Sequence, residues 1–302
     1  MTIRFLVLGA AAGGGLPQWN CGCRNCTAAR QGSLVPQTQS SLAVSLDGRS
    51  WLVINASPDI RQQLRDRREL WPTQLRDSPI KSVLLTNGDI DHVAGLLTLR
   101  EKQPFQLLAT QALLETLADS PVFRVLDPAH VRQEPIALET PFFPLEGLET
   151  RLFAVSGKVP LYLETGEPEL GLETEQTVGV EFRVGARRVF YIPGCGAIGA
   201  ALAERIAGAD LLFFDGTLFT DDEMISTGTG RKTGRRMGHM PISGPDGSLE
   251  ALTRLSIRRS IYIHINNTNP IWHIGPVREQ IERKGFAVGY DGMEVALATG
   301  SR

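Results

Sequence analysis

Asn87-Gly88-Asp89-Ile90-Asp91-His92 follows the apolar run Ser82-Val83-Leu84-Leu85-Thr86 and leads into a helical pattern at Val93. A strand-to-helix turn of this kind lets closely spaced side chains converge on one point above a sheet. Carboxylates also favour helix N-termini, where free backbone N–H groups attract them, so Asp91 alone reads as readily as a cap as it does as a ligand. His92 beside it favours a metal, and His264, at the end of another β-rich run, offers a second imidazole. Two histidines and one carboxylate leave coordination positions open, the arrangement used by non-haem iron(II) oxygenases. Asp91, His92 and His264 are therefore the candidate triad, with Asp89 as a further candidate ligand.

Outward from the turn, short β-rich runs at residues 3–8, 41–46, 51–55, 82–86 and 105–109 alternate with helical periodicity at 59–69, 95–101 and 111–118. The second half repeats this logic, with strands at 148–155, 178–184, 188–192, 211–214 and 260–265 and helices at 197–207 and 248–255. The Glu- and Gly-rich segment 164–175 reads as a loop between strands. Two sheets between helical layers fit this order, and a doubly wound sheet fits it too, because short apolar strands suit both. The metal motifs have to decide.

A chain of 302 residues with 42% hydrophobic content can bury a large core, as one α/β domain or two smaller ones. With 31 basic against 33 acidic residues, nothing draws the whole molecule toward nucleic acid or an anionic membrane. The N-terminal apolar run lacks a small-residue cleavage pattern, and no apolar stretch reaches spanning length, so a cytoplasmic location is expected. Cysteines in that reducing compartment are not expected to pair.

Three of the four cysteines crowd into Cys21-Gly22-Cys23-Arg24-Asn25-Cys26. Short spacings and a glycine let three thiolates turn onto one ion, and structural zinc takes four ligands in a closed tetrahedron. The plainer alternative is three buried or redox-active thiols, but close thiolates without a metal repel and oxidise. Cys195 follows Gly194 in a turn and reads as a packed small residue rather than the fourth ligand.

The turn resembles the His-x-His-x-Asp-His signature of the metallo-β-lactamase superfamily, with Asn87 and Asp89 where the two leading histidines would stand and Asp91 and His92 matching the last two positions. Together with the cysteine cluster, Gly238-His239-Met240-Pro241 and His264-Ile265-Asn266-Asn267-Thr268-Asn269-Pro270, it resembles the branch of that superfamily that acts in pyrroloquinoline quinone biosynthesis. The resemblance covers nearly the whole chain. It implies a single α/β domain over 1–302, an αββα sandwich of two mixed sheets flanked by helices, with a zinc-binding segment at 21–26.

The resemblance further implies an iron-dependent hydroxylation, using O2, of the tyrosine ring in a cross-linked Glu-Tyr diamino acid. Related hydrolases bind two ions and need the leading histidines for the first, so Asn87 and Asp89 should weaken that position while Asp91, His92 and His264 keep the second. One open-sided ion suits oxygen and substrate together, whereas two ions clamp an ester and generate hydroxide between them. Fe(II) is accordingly expected at the triad, with zinc or manganese as alternatives. A metal-dependent hydrolase of the phosphodiesterase or lactonase type, or a carrier of the finished quinone, are the competing readings, and a homodimer remains open.

By the same resemblance Asp215 and His239 stand where related phosphodiesterases move protons, either as acid and base or as additional ligands. The plain reading makes Asp215 a strand end and His239 a loop residue. For the fourth zinc ligand, Asn267 stands where related hydrolases place a histidine, with Asn269, His273 or water as alternatives. Arg235 and Arg236, in the basic run just before His239, are candidate clamps for substrate carboxylates, since guanidinium groups match them bidentately. The glycine run at 9–15 lacks a Lys-Ser or Lys-Thr partner and dinucleotide spacing, and reads as backbone near the active site rather than a phosphate loop.

Overall fold

The computed structural model describes residues 2–166 and 169–299. Among these, thirteen strands form two mixed sheets of seven and six strands. The first sheet contains β1 (Thr2–Gly9), β2 (Ser41–Ser45), β3 (Trp51–Ile54), β4 (Ile80–Leu84), β5 (Phe105–Ala109), β6 (Val131–Pro135) and β13 (Glu294–Ala298), in the order β13-β1-β2-β3-β4-β5-β6. The second contains β7 (Glu149–Gly157), β8 (Leu172–Val184), β9 (Arg187–Ile192), β10 (Leu211–Asp215), β11 (Ser260–Ile263) and β12 (Phe286–Val288), in the order β12-β11-β10-β9-β8-β7. Each sheet is antiparallel at one end and parallel at the other.

Strand alternation builds the layers. Phe5 and Val7 of β1 face the second sheet, where the Phe5 ring lies 5.9 Å from Phe182 and 5.6 Å from Phe213. Leu6 and Leu8, one residue out of phase, face α2 (Ile60–Arg65) and α4 (Gln111–Ala118), where Ile60, Leu113 and Leu117 cover them. On the far side, α5 (Ala200–Ile206), α7 (Ser248–Thr253) and α8 (Pro276–Arg283) bring Leu202, Ile206, Leu249, Leu252 and Ile281 against the second sheet. The αββα sandwich of the resemblance is the observed architecture.

Departures from the expected elements gather where the strands meet the site. β4 ends at Leu84 rather than at residue 86, because the Asn55 side chain takes over the backbone there: Thr86 N donates to Asn55 Oδ1 at 3.0 Å, and Thr86 O accepts from Val178 N of the other sheet at 2.9 Å. β11 ends at Ile263 because His264 turns into the left-handed region, φ 52°. The helix expected at 95–101 is only a 3-10 turn, Ala94–Leu97, and a Cβ on Gly95 would lie 2.1 Å from Ser57 O, so this glycine is held against a neighbouring carbonyl. Within the loop expected at 164–175, residues 167 and 168 lie outside the described residues, and 172–175 extend β8, where Leu172 and Glu173 pair with Gly157 and Ser156 past a bulge. The sequence pattern does not predict strands β6, β12 and β13 or helices α1 (Arg24–Arg30), α6 (Glu223–Ser226) and α8.

Candidate active site and metal centres

Three parallel strands deliver the site at their carboxyl ends, the usual place for function in such sheets. The turn after β4 carries Asn87 to His92 into α3 (Ile90–Val93), β10 ends on Asp215, and β11 runs into His264. The sheets are tied together at this end by a bridge between Asn87 and Thr177. Behind the turn, a Cβ on Gly13 would lie 3.4 Å from the Asp91 carboxylate, so the glycine run lets backbone approach the site.

Hydrogen bonds fix which ring nitrogens face inward. Asn87 Oδ1 accepts from the backbone N–H of Asp89 at 3.0 Å, which identifies the atom as the amide oxygen. His92 Nδ1, 2.6 Å from the same oxygen, must therefore be the donor, leaving the lone pair on Nε2. That Nε2 is buried without a hydrogen-bond partner, 3.8 Å from Asp91 Oδ2. Thr217 performs the same task for His264: its hydroxyl donates to Asp215 Oδ1 at 2.6 Å and accepts from His264 Nδ1 at 2.8 Å, turning His264 Nε2 toward Asp91 Oδ2 at 3.2 Å. Ligand atoms of Asp91, His92 and His264 all fall within 4.8 Å of one another.

The electrostatics suit a cation. Burial pushes His92 down to about 4, so its ring is neutral with a free lone pair. Burial opposes ionisation of Asp91, yet His92 and His264 hold its carboxyl below the usual range. Burial likewise opposes charging His264, but the hydrogen bond and charge of Asp91, with Asp215 and Asp89 nearby, raise it. A carboxylate, an orphaned imidazole nitrogen and a second imidazole that attracts a proton are a donor set for a divalent ion, which these residues fit.

Asp215, His239 and His264 form a second such group. Here both carboxylate oxygens are already engaged: Oδ1 accepts from Thr217 N and Oγ1, and Oδ2 from Cys195 N at 2.9 Å and His239 Nδ1 at 2.6 Å. Burial works against the Asp215 charge, but His239 and His264 hold its carboxyl below the usual range. His239 stacks on His264 with ring centroids 5.1 Å apart, and it is partly exposed where Asp215 is buried.

Asp89 lies outside both groups. It stands at the N-cap position of α3 without a side-chain capping bond, burial and Asp91 raise its carboxyl, and Lys158, His239 and His264 pull the other way. Arg235 is exposed, and its guanidinium reaches Asp246 O at 3.4 Å. Arg236 Nη2 pairs with Glu164 Oε2 at 3.3 Å. Sequence reasoning missed Thr217, which joins Asp215, His239 and His264, and Lys158, which follows the last residue of β7. It also assigned Asn87 a lost ligand position rather than a bond to His92.

At the N-terminal cluster each sulfur accepts from a backbone N–H: Cys21 from Cys23 at 3.4 Å, Cys23 from Cys26 at 3.5 Å and Cys26 from Gln18 at 3.3 Å. The Asn267 side chain sits over all three, its Nδ2 donating to sulfur at 3.2, 3.5 and 3.3 Å, and since an amide nitrogen has no lone pair for a metal, Asn267 would serve as the fourth ligand only with the amide turned to present Oδ1. Asn269 and His273 are used elsewhere: Asn269 Nδ2 donates to Gly216 O, and His273 Nε2 meets Asn25 Oδ1 at 2.7 Å. Burial pushes Cys26 up to about 11, whereas Cys23, despite burial, is held below the usual thiol range by bonds from Cys26 and its neighbours. Three ionised sulfurs would need a cation, and the donor set is that of a structural zinc. Cys195 is buried within the core, its thiol pushed up by burial.

Residues 50–265 match the model of the β-lactamase superfamily domain. Coenzyme PQQ synthesis protein B of Rhizobium meliloti (strain 1021) is 65% identical over 297 residues, covering 98% of each chain. Its namesake in Ruegeria pomeroyi is 56% identical, over 98% of this chain and 100% of that one. Among solved structures, Zn2+-bound PqqB from Methylobacterium extorquens aligns with a TM-score of 0.95 at 50% identity, over 97% of this chain and 99% of that chain. A diphosphatase from the PhnP family shares the fold, with a TM-score of 0.68 at 20% identity and 98% of each chain covered.

Proposed function

Because this chain belongs to the coenzyme PQQ synthesis protein B family of the β-lactamase superfamily, we propose that it acts in the synthesis of that quinone cofactor as an iron-dependent hydroxylase of the tyrosine ring in a cross-linked Glu-Tyr intermediate. The observation that carries this reading is the bond between His92 Nδ1 and Asn87 Oδ1. It turns the residue at the first leading-histidine position into a support for a single ligand set, Asp91, His92 and His264. An Fe(II) ion held there would supply O2 binding and activation at its open positions. Ring hydroxylation consumes O2, two electrons and two protons, placing one oxygen atom in the product and one in water, with the electrons coming from an external reductant.

The chain's own residues would do the rest. Asn87 and Thr217 orient the two ligand rings, and the buried Asp215 holds His239 by a 2.6 Å bond. His239, partly exposed, would exchange protons with a bound substrate, while Asp215 would balance its charge. Anaerobic reconstitution with Fe(II), followed by 18O2 and the Glu-Tyr diamino acid, is expected to give a product carrying one labelled oxygen. No oxygen uptake would overturn the proposal.

The group Asp215, His239 and His264 favours a second reading, a two-ion hydrolase. An ion there would compete with the bonds that already engage both Asp215 oxygens. Turnover of a phosphodiester with zinc or manganese would support it.

A further inference from the structure

Lys158 leaves the sheet directly after β7 and begins a strap across the site. On one side the strap packs on the metal turn: Tyr162 Oη donates to Gly88 O at 2.8 Å, and a Cβ on Gly88 would lie 3.0 Å from Pro160 Cγ. On the other it meets the loop carrying His239, where a Cβ on Gly238 would lie 3.3 Å from Lys158 Cγ. Between them sits the carboxylate of Glu164, with Oε1 2.9 Å from Lys158 Nζ and Oε2 3.3 Å from Arg236 Nη2. The Lys158 and Glu164 side chains are only 11% and 7% exposed. A cavity of ≈ 460 Å³ adjoins them, lined among others by Val159, Leu163 and Gln176. The strap itself shows Leu161, Tyr162 and Leu163 to solvent, an unusual run of apolar side chains for a surface segment.

We propose that Lys158 and Arg236 form the carboxylate-binding subsite for the substrate, and that Glu164 occupies this subsite as an internal stand-in until a ligand carboxylate displaces it. The inference rests on the reading of this site as one for an aromatic polycarboxylate. A nearly buried ion pair gains little stability, because desolvation offsets its attraction. Exchange of one carboxylate for another costs correspondingly little. Displacing Glu164 would free the strap from the His239 loop and let its apolar side chains close over the ligand's ring. Affinity for such a ligand is then reduced by the fraction of chains in which Glu164 holds the subsite.

The test is an equilibrium titration of the metal-loaded full chain with pyrroloquinoline quinone, an aromatic tricarboxylate, beside 9,10-phenanthrenequinone, a neutral quinone. Glu164→Gln is expected to tighten binding of the tricarboxylate by about tenfold, with Glu164→Ala moving the same way. Lys158→Gln is expected to weaken it by about tenfold or more. The neutral quinone should respond to none of them. Unchanged or weaker tricarboxylate binding in both Glu164 variants, or unchanged binding in Lys158→Gln, would overturn the proposal. The titration needs no turnover, so a chain that binds in the expected pattern but takes up no oxygen fails the hydroxylase reading alone. Oxygen uptake with unaltered affinities fails the subsite alone.

Discussion

The cysteine cluster and the Asp91 centre both assemble donors for a cation, and they do so in opposite ways. Cys21, Cys23 and Cys26 lie within six residues, each sulfur accepts from a backbone N–H, and the Asn267 amide covers all three. The Asp91 centre spans both sheets, joining residues 173 positions apart, and its ligand rings are aimed by Asn87 and Thr217 while His239 reaches toward solvent. A closed site made from one local segment holds structure; an open site made at the carboxyl ends of strands can hold substrate as well.

The largest separation of the two should come from paired removal of ligands. His92→Ala should lose the active-site ion and bring hydroxylation to background while zinc at the cysteines stays at one per chain. Cys26→Ser should lose that zinc and cost about 3 kcal/mol or more of stability. Metal analysis with thermal melts reads both, and loss of both ions in either variant would break the comparison. A smaller effect is expected at Asn87. Asn87→Ala should weaken the active-site ion about 10- to 100-fold, the usual cost of removing a ligand's orienting partner, without touching the zinc; unchanged affinity would show that the amide is idle.

The smallest effect concerns a support behind the open centre. Asp291 accepts from Ala10 N at 2.9 Å and Thr38 N at 2.7 Å, pinning the chain beside the glycine run behind Asp91. Burial pushes its carboxyl up to about 6, above an unfolded value of about 3.9. The folded state therefore binds the proton more tightly. Its contribution to stability is full below about pH 4 and is lost as pH rises through about 6. Asp291→Asn should remove that dependence, so the melting difference between parent and variant should change by a few degrees between pH 4 and pH 7. A constant difference would contradict it.

Much of this contrast is legible in the sequence, and its limits are physical. The cysteine cluster is local, so spacing alone reveals it. Asp91 and His92 announce themselves through residue type at a strand-to-helix turn, and His264 through its place at a strand end. What one chain cannot show is direction across long separations. Thr217 looks like any threonine after a strand, yet it joins Asp215, His239 and His264. Asn87 reads as a missing ligand because its bond to His92 depends on the turn's geometry. Strand β12 is three residues long and β13 pairs with β1 from the far end of the chain, so neither leaves a periodic signal strong enough to find. Lys158 carries no motif at all.

On the proposed function, the Asp91 centre takes one ion where related hydrolases hold two. Anomalous scattering at the metal edges, on crystals of protein purified without chelator or added metal, tests it directly. One peak on the cysteine sulfurs and one among Asp91, His92 and His264 is the expected result. Two peaks in the active site about 3.5–4 Å apart, the spacing of two-metal hydrolases, would contradict it.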